Sequence, residues 1–318
     1  MSQESRIKFL PISVFATVMG LTGFTIAWEK AQALTGLSGI AGVSLLVSAV
    51  LFAVLLLAYG SKLAGYRAEV VKELHHPVRL SFFPTLSISL VLLATATLEL
   101  YPGMSEWLWL GGSGLHLLFT LYVLGAWINH EHFQIQHMNP AWFIPVVGNI
   151  LVPIAGVSHG HVEVSWFFFS IGLLFWLVLL TIVFYRIIFH APLPSKLVPT
   201  LFILIAPPAV GFIAYVKLTG GIDVFARLLY YSGLFITLLL FTQVHRFARL
   251  KFFLSWWAYS FPLAAITIAT LVMHQHLGHG AWLGLALALL AVLTLVIGIL
   301  VVRTAIAVKR GEICVAED

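Results

Sequence analysis

Few residues in this chain have types and spacing that promise chemistry. Ser260-Phe261-Pro262-Leu263 sets a hydroxyl, a bulky ring and a helix-breaking imide side by side within the apolar run 252–276. Phe82-Phe83-Pro84 repeats the order of ring before proline earlier in the chain. A proline inside a helix removes a donor and frees a carbonyl. A phenylalanine beside it can act as an apolar plug that closes a passage by sterics and dewetting. Hydroxyls and one amide recur on segments of the same kind, at Thr17, Thr22, Thr25, Thr85, Ser87, Ser89, Asn149, Ser255, Ser260, Thr267 and Thr270. Donors without carboxylates among them suit an anion better than a cation, although Ser and Thr also tie membrane helices together.

Catalysis has less to draw on. There is no Gly-rich phosphate loop and no Ser/His/Asp arrangement, so no enzyme is expected. Histidines gather at His75-His76, at His130, His132 and His137, at His159 and His161, and at His274, His276 and His279. They do not share one helix face, and the single cysteine, Cys314, adds no ligand set, so neither a metal site nor a cofactor is expected. His116 is the one histidine deep in an apolar run, and it lacks the partner histidine that a haem would want.

The elements that must position these residues follow from composition. Hydrophobic residues make up 61% of the 318 and charged ones 9%, too few charges to cover a water-soluble surface. The expected class is an all-α polytopic membrane protein, a single transmembrane domain over 1–318 with no soluble domain, no cleaved signal peptide and no nucleic-acid partner. Ten spans are read at roughly 10–29, 39–61, 79–99, 106–129, 140–157, 162–189, 197–217, 222–246, 252–276 and 280–304. With both termini cytoplasmic, fourteen Lys and Arg fall on the inner side, and only Lys30 and Lys217 on the outer, as the positive-inside rule wants.

Proline divides the spans into two kinds. Ten of the thirteen prolines fall in or at the start of odd spans, among them Pro84, Pro145, Pro153, Pro207, Pro208 and Pro262. Pro102, Pro192 and Pro194 are placed in loops, which leaves the even spans smooth. Broken backbone at membrane depth is tolerated only against protein or a water-filled cavity. The odd helices are therefore expected inside and kinked, the even ones outside and facing lipid. This repeat of about 60 residues predicts five inner helices around a central axis. Phe82, Phe83, Pro84, Pro145, Pro153, Pro207, Pro208, Ser260 and Pro262 are then the pore-lining or kink candidates, and Phe261 the gate. No Asp, Glu or Lys is read at mid-span, which favours a passive conduit over a proton-driven pump. Arg67, Lys72 and Arg79, with His75 and His76, form a basic cytoplasmic entrance that funnels anions or binds anionic lipid. Arg227 marks the outer mouth, where it pairs with Asp223 at i,i+4 spacing, snorkels, or attracts anions.

Three motifs carry a family resemblance. His76-Pro77-Val78-Arg79 followed by Phe82-Phe83-Pro84 resembles the start of the third helix of the slow-type anion channel, tellurite-resistance and C4-dicarboxylate transporter family. Asn139-Pro140-Ala141-Trp142-Phe143-Ile144-Pro145-Val146-Val147-Gly148-Asn149 is similar to its fifth helix, and Trp256-Trp257-Ala258-Tyr259-Ser260-Phe261-Pro262 to its ninth. The resemblance covers all ten spans. It implies five helical hairpins in quasi-fivefold arrangement, a homotrimer with one pore per subunit, and a ninth-helix phenylalanine, here Phe261, that occludes the pore. Members include plant guard-cell channels for chloride and nitrate, bacterial relatives, and fungal malate or sulfite carriers. The plant members' long cytoplasmic tails are absent, so a bacterial inner membrane is the expected home. The expected function is an anion-selective channel for small anions such as chloride and nitrate. The alternatives are a secondary carrier for C4-dicarboxylate, sulfite or tellurite-type oxyanions and, from another class, a membrane enzyme or haem protein.

Overall fold

In lipid a chain must satisfy its backbone groups within itself, and this one does so as helices. The computed structural model describes residues 3–129 and 133–315, among which there is no strand. Nine helices among the described residues are long and apolar enough to cross a membrane. In chain order with one shorter apolar segment they are α1 Ile12–Thr35, α2 Ile40–Gly65, α3 Arg79–Thr97, α4 Pro102–Asn129, α5 Pro140–Gly156 (the short one), α6 Val162–Phe189, α7 Val198–Thr219, α8 Val224–Phe241, α9 Leu254–Leu277 and α10 Gly280–Lys309. A short helix, Arg67–Leu74, lies between α2 and α3, and another, Val244–Ala248, between α8 and α9.

Consecutive helices pack as pairs, α1 on α2, α3 on α4, and so on to α9 on α10. The odd members also touch in sequence, α1 to α3, α3 to α5, α5 to α7, α7 to α9, and α9 back to α1. Burial separates the two sets. The most apolar windows of α1, α3, α7 and α9 are 83, 78, 72 and 83% buried, against 17% for α2 and 33% for each of α4, α6, α8 and α10. Small residues let the pairs close tightly. A Cβ added at Gly112 of α4, Gly172 of α6 or Gly233 of α8 would come within 3.0, 2.9 and 3.3 Å of backbone nitrogens of Val91, Ile150 and Ala209 on the inner partners. These three glycines recur about every 60 residues, the period of the proline pattern. At Gly36 and Gly278, which end α1 and α9, φ values of 69° and 68° reverse the chain in the left-handed region.

The prolines act differently from expectation. Each odd element opens in 3-10 turns and then becomes α-helical: Ile12–Phe15 before Ala16, Arg79–Phe82 before Thr85, Val198–Ile205 before Ala206, Leu254–Tyr259 before Ser260. Pro207, Pro208 and Pro262 lie in the first turn of the α-helical part. There a missing N–H deprives no intrahelical bond, so they start helices rather than kink them at mid-course. In α5 three prolines spread over 140–153 keep any α ladder from running on. That segment alternates 3-10 turns (Pro140–Trp142, Gly148–Leu151) with single α turns (Phe143–Val147, Val152–Gly156). Pro102 is not in a loop but heads α4, again at a position where its imide costs nothing. Helix α8 stops at Phe241 instead of reaching 246. The Thr242 hydroxyl donates to the Leu239 carbonyl, a local bond that competes with the helix ladder.

Candidate functional site

The five odd elements enclose one cavity of about 830 Å³. α1 contributes Ala16 and Met19, α3 Phe82, Thr85 and Ile88, α5 Phe143, Ile144, Val147, Gly148 and Leu151, α7 Thr200, Ile203, Ala206, Pro207 and Val210, and α9 Trp257, Ala258, Phe261 and Pro262. On α1, α3 and α9 these lie in the N-terminal halves; on α5 and α7 they run just past the middle, to Leu151 and Val210. Nothing beyond Met19, Ile88, Leu151, Val210 and Pro262 on those helices borders the space, so it is a vestibule with an apolar inner end.

Phe261 stands at that inner end, half-buried, on the first α-helical turn of α9. Its ring rests on α1, because a Cβ at Gly23 would lie 3.2 Å from Phe261 Cδ2 and 3.0 Å from Ala264 Cβ. One turn earlier, Gly20 leaves room for Ser260 and Trp257. Ser260 Oγ donates to the Trp257 carbonyl, and the Trp257 indole donates to Thr304 Oγ1 on α10. Glycine on α1 thus lets α9 come close enough to hold Phe261 over the end of the cavity.

The other end is charged. Lys8, Lys62, Arg79 and Lys196 border it together with Glu69 and Glu73. Lys62 falls one residue past the second span read from sequence, but the helix runs on to Gly65. This lysine sits in the last turn of α2, 3% exposed, and donates to the Leu10 carbonyl at 2.8 Å and to Glu73 Oε2 at 2.8 Å. Glu73, also 3% exposed, arrives on the Arg67–Leu74 helix and accepts from the Ile12 backbone N–H at 2.7 Å and the Tyr59 hydroxyl at 2.9 Å. The segment read as a basic cytoplasmic entrance therefore folds under the bundle and pins the start of α1. One sequence signal for this exists. Ala41, Leu45, Ser48, Phe52, Leu55 and Tyr59 form the buried stripe of α2, and Lys62 continues that spacing. Of the three expected entrance cations only Arg79 borders the cavity. Arg67 is exposed, and exposed Lys72 reaches Glu69 at 3.1 Å, a hydrogen bond that holds the Glu69 carboxyl below its usual range.

The remaining sequence candidates scatter. Phe82 faces the cavity, but Phe83 turns outward, edge-on to Tyr59 of α2 and Phe119 of α4. Pro84, Pro145, Pro153, Pro208 and Ser260 are buried behind the wall, whereas Pro207 and Pro262 are on it. The Pro145 carbonyl accepts from Thr120 of α4. Most of the hydroxyls are spent on their own helix. Thr17, Thr25, Ser87, Ser89, Thr267 and Thr270 donate to carbonyls three or four residues back, and of the eleven polar candidates only Thr85 and Ser255 border the cavity. His116 is buried, with Ser87 Oγ at 2.9 Å from its Nδ1. His130 and His132 lie outside the described residues. Arg227 is exposed on α8, away from the cavity. The Asp223 carboxylate caps that helix on the Ala226 N–H and takes the Tyr215 hydroxyl, bonds that hold it below its ordinary range, so of the readings open for Arg227 the pairing with Asp223 is not made.

Comparison with known proteins bears on this geometry. The family described as voltage-dependent anion channel (SLAC1) matches residues 10–305. The S-type anion channel SLAH2 of Arabidopsis thaliana is 30% identical over 270 residues, covering 82% of this chain and 52% of its own. The tellurite resistance protein TehA homolog of Haemophilus influenzae is 26% identical over 314 residues, 95% of this chain and 92% of its own. An uncharacterized transporter of Methanocaldococcus jannaschii is 29% identical over 303 residues, 86% and 88% of the two chains. The chain spans about half the length of the plant relatives SLAH2 and SLAH3.

Proposed function

The chain belongs to the voltage-dependent anion channel (SLAC1) family, and from that premise we propose that it is a conduit, not an enzyme, that passes small anions such as chloride and nitrate. The route runs along the axis of five inner helices set in quasi-fivefold order, from the charged vestibule past Phe261. One observation carries this reading: every odd element lends residues to a single cavity, and that cavity ends at a ring seated on Gly23. Apolar narrowing at Phe261 closes the route by sterics and dewetting. The basic side chains at the mouth raise the local anion concentration. The protein works in a bacterial inner membrane with both termini cytoplasmic, as the distribution of Lys and Arg favours, and as a homotrimer with one pore per subunit.

The test is Phe261→Ala in a voltage-clamped membrane. Anion current should rise by about tenfold or more once the constriction is gone. A variant that conducts no better than the parent rules the gate out. One observation favours a second reading: the vestibule ends inside the protein, as in the inward-facing state of a carrier for dicarboxylates, sulfite or tellurite-type oxyanions. Flux that saturates with substrate and follows an imposed proton gradient would select the carrier.

A further inference from the structure

Three donors from two helices converge on one buried carboxylate at the vestibule wall. The Ile12 backbone N–H donates to Glu73 Oε1 at 2.7 Å, while the Tyr59 hydroxyl and Lys62 Nζ donate to Oε2 at 2.9 and 2.8 Å. Lys62 and Glu73 are each 3% exposed, and Ile12, Lys62 and Glu73 all border the cavity. The donors come from α1 and α2, whereas the acceptor comes from the separate Arg67–Leu74 helix. Without the carboxylate, what remains is a cradle of a backbone N–H, a phenol and an ammonium, the complement of a small planar anion.

We propose that this cradle is an anion subsite of the vestibule, which the chain fills with its own Glu73 as a tethered competitor. The ligand class is a small planar oxyanion, a carboxylate or nitrate. The ammonium of Lys62 is also bonded to the Leu10 carbonyl and so stays in place when Glu73 leaves. A buried ammonium without a counter-charge is costly. An anion from the vestibule therefore takes the vacated place. The choice of a small anion as ligand rests on the channel reading; the donor geometry does not.

The experiment uses the full chain in detergent. Glu73→Ala, Glu73→Gln and the parent are melted against sodium formate and sodium nitrate, with ionic strength matched by gluconate, which is too bulky for the hole. Glu73→Ala should show a saturable rise in melting temperature of about 2–4 °C, and the parent none, because its site is full. Glu73→Gln fills the hole with an amide donor and should also stay flat. Adding Tyr59→Phe to Glu73→Ala should raise the half-saturating formate concentration several-fold. The inference is overturned if folded Glu73→Ala shows no saturable shift or if the parent shifts equally. It is overturned as well if Glu73→Ala does not fold even when purified in formate. The readout is binding and not current, so a silent Phe261→Ala would rule out the gate and leave this result standing, and the reverse holds too.

Discussion

The inner and the outer helices invert the rule of water-soluble proteins. The outer ones are the smoother and more exposed: α2, α6 and α10 run as unbroken α-helices of 26, 28 and 30 residues and turn Leu57, Leu177 and Leu295 to the surroundings. The inner ones are the more buried, yet they hold nearly all the prolines and the 3-10 turns, and hydroxyls on the outer helices, such as those of Ser48, Ser105, Ser165 and Thr237, are buried against them. In water a polar group is cheapest at the surface; in lipid it is cheapest inside, where other protein groups can satisfy it. Irregular backbone follows the same logic. A helix facing lipid must complete its own ladder, whereas one facing other helices and a cavity can open with 3-10 turns and begin again.

The comparison breaks most severely where, among the described residues, a buried charge pair ties outer α2 to the Arg67–Leu74 helix beside the start of inner α1. Lys62→Met leaves Glu73 buried with the Ile12 and Tyr59 bonds but no counter-charge. The expected loss is about 3–5 kcal/mol of stability, read by denaturant or SDS unfolding of the purified protein. Removing both charges together, as Lys62→Met with Glu73→Gln, should recover a large part of that loss.

Next in size is a proline exchange between the sets. Leu177 lies on the lipid side of α6, 55% exposed, in an unbroken ladder. Leu177→Pro removes a hydrogen bond that nothing else can supply and should cost about 3 kcal/mol or more. Pro208→Ala in the first α-helical turn of α7 breaks no bond, and only the entropy of the unfolded chain changes, so it should cost about 1 kcal/mol or less. Equal losses from the two would mean that inner prolines do more than start helices.

The layering was legible in the sequence because it is written in residue types that cannot be placed at will. Proline and glycine punctuate, and long apolar runs span. The place of Phe261 on the cavity wall was legible for the same reason, as the ring beside the lone proline of its span. The hydroxyls misled, because the i−4 carbonyl of a helix is always within reach of Ser and Thr, and composition does not reveal that the bond is already made. Phe83 misled because adjacent residues on a helical turn point in different directions, and the motif names two rings without saying which faces inward. The Lys62–Glu73 pair was hidden by the turn at Tyr66, whose angle decides whether the following helix runs off into solvent or folds back beneath the bundle. Only the spacing of Lys62 on the α2 stripe pointed the right way.

The smallest effect separates two glycines that look alike in sequence. A Cβ at Gly20 of α1 would sit 2.1 Å from Ser260 Oγ and 2.7 Å from Ser260 Cβ, so α1 and α9 must part before an alanine fits. Gly20→Ala should therefore cost about 1–3 kcal/mol by overpacking. Gly42 of α2 has nothing within 4 Å of the place its Cβ would take and faces outward. Gly42→Ala meets no neighbour and gains helix propensity, so it should stabilise by about 0.5–1 kcal/mol. The two changes add the same methyl group to helices of one hairpin, and thermal unfolding of both should give opposite signs. The same sign for both would mean that α1 and α9 are not held at the contact that seats Phe261 on Gly23, and the difference between inner and outer helices would then be one of burial alone.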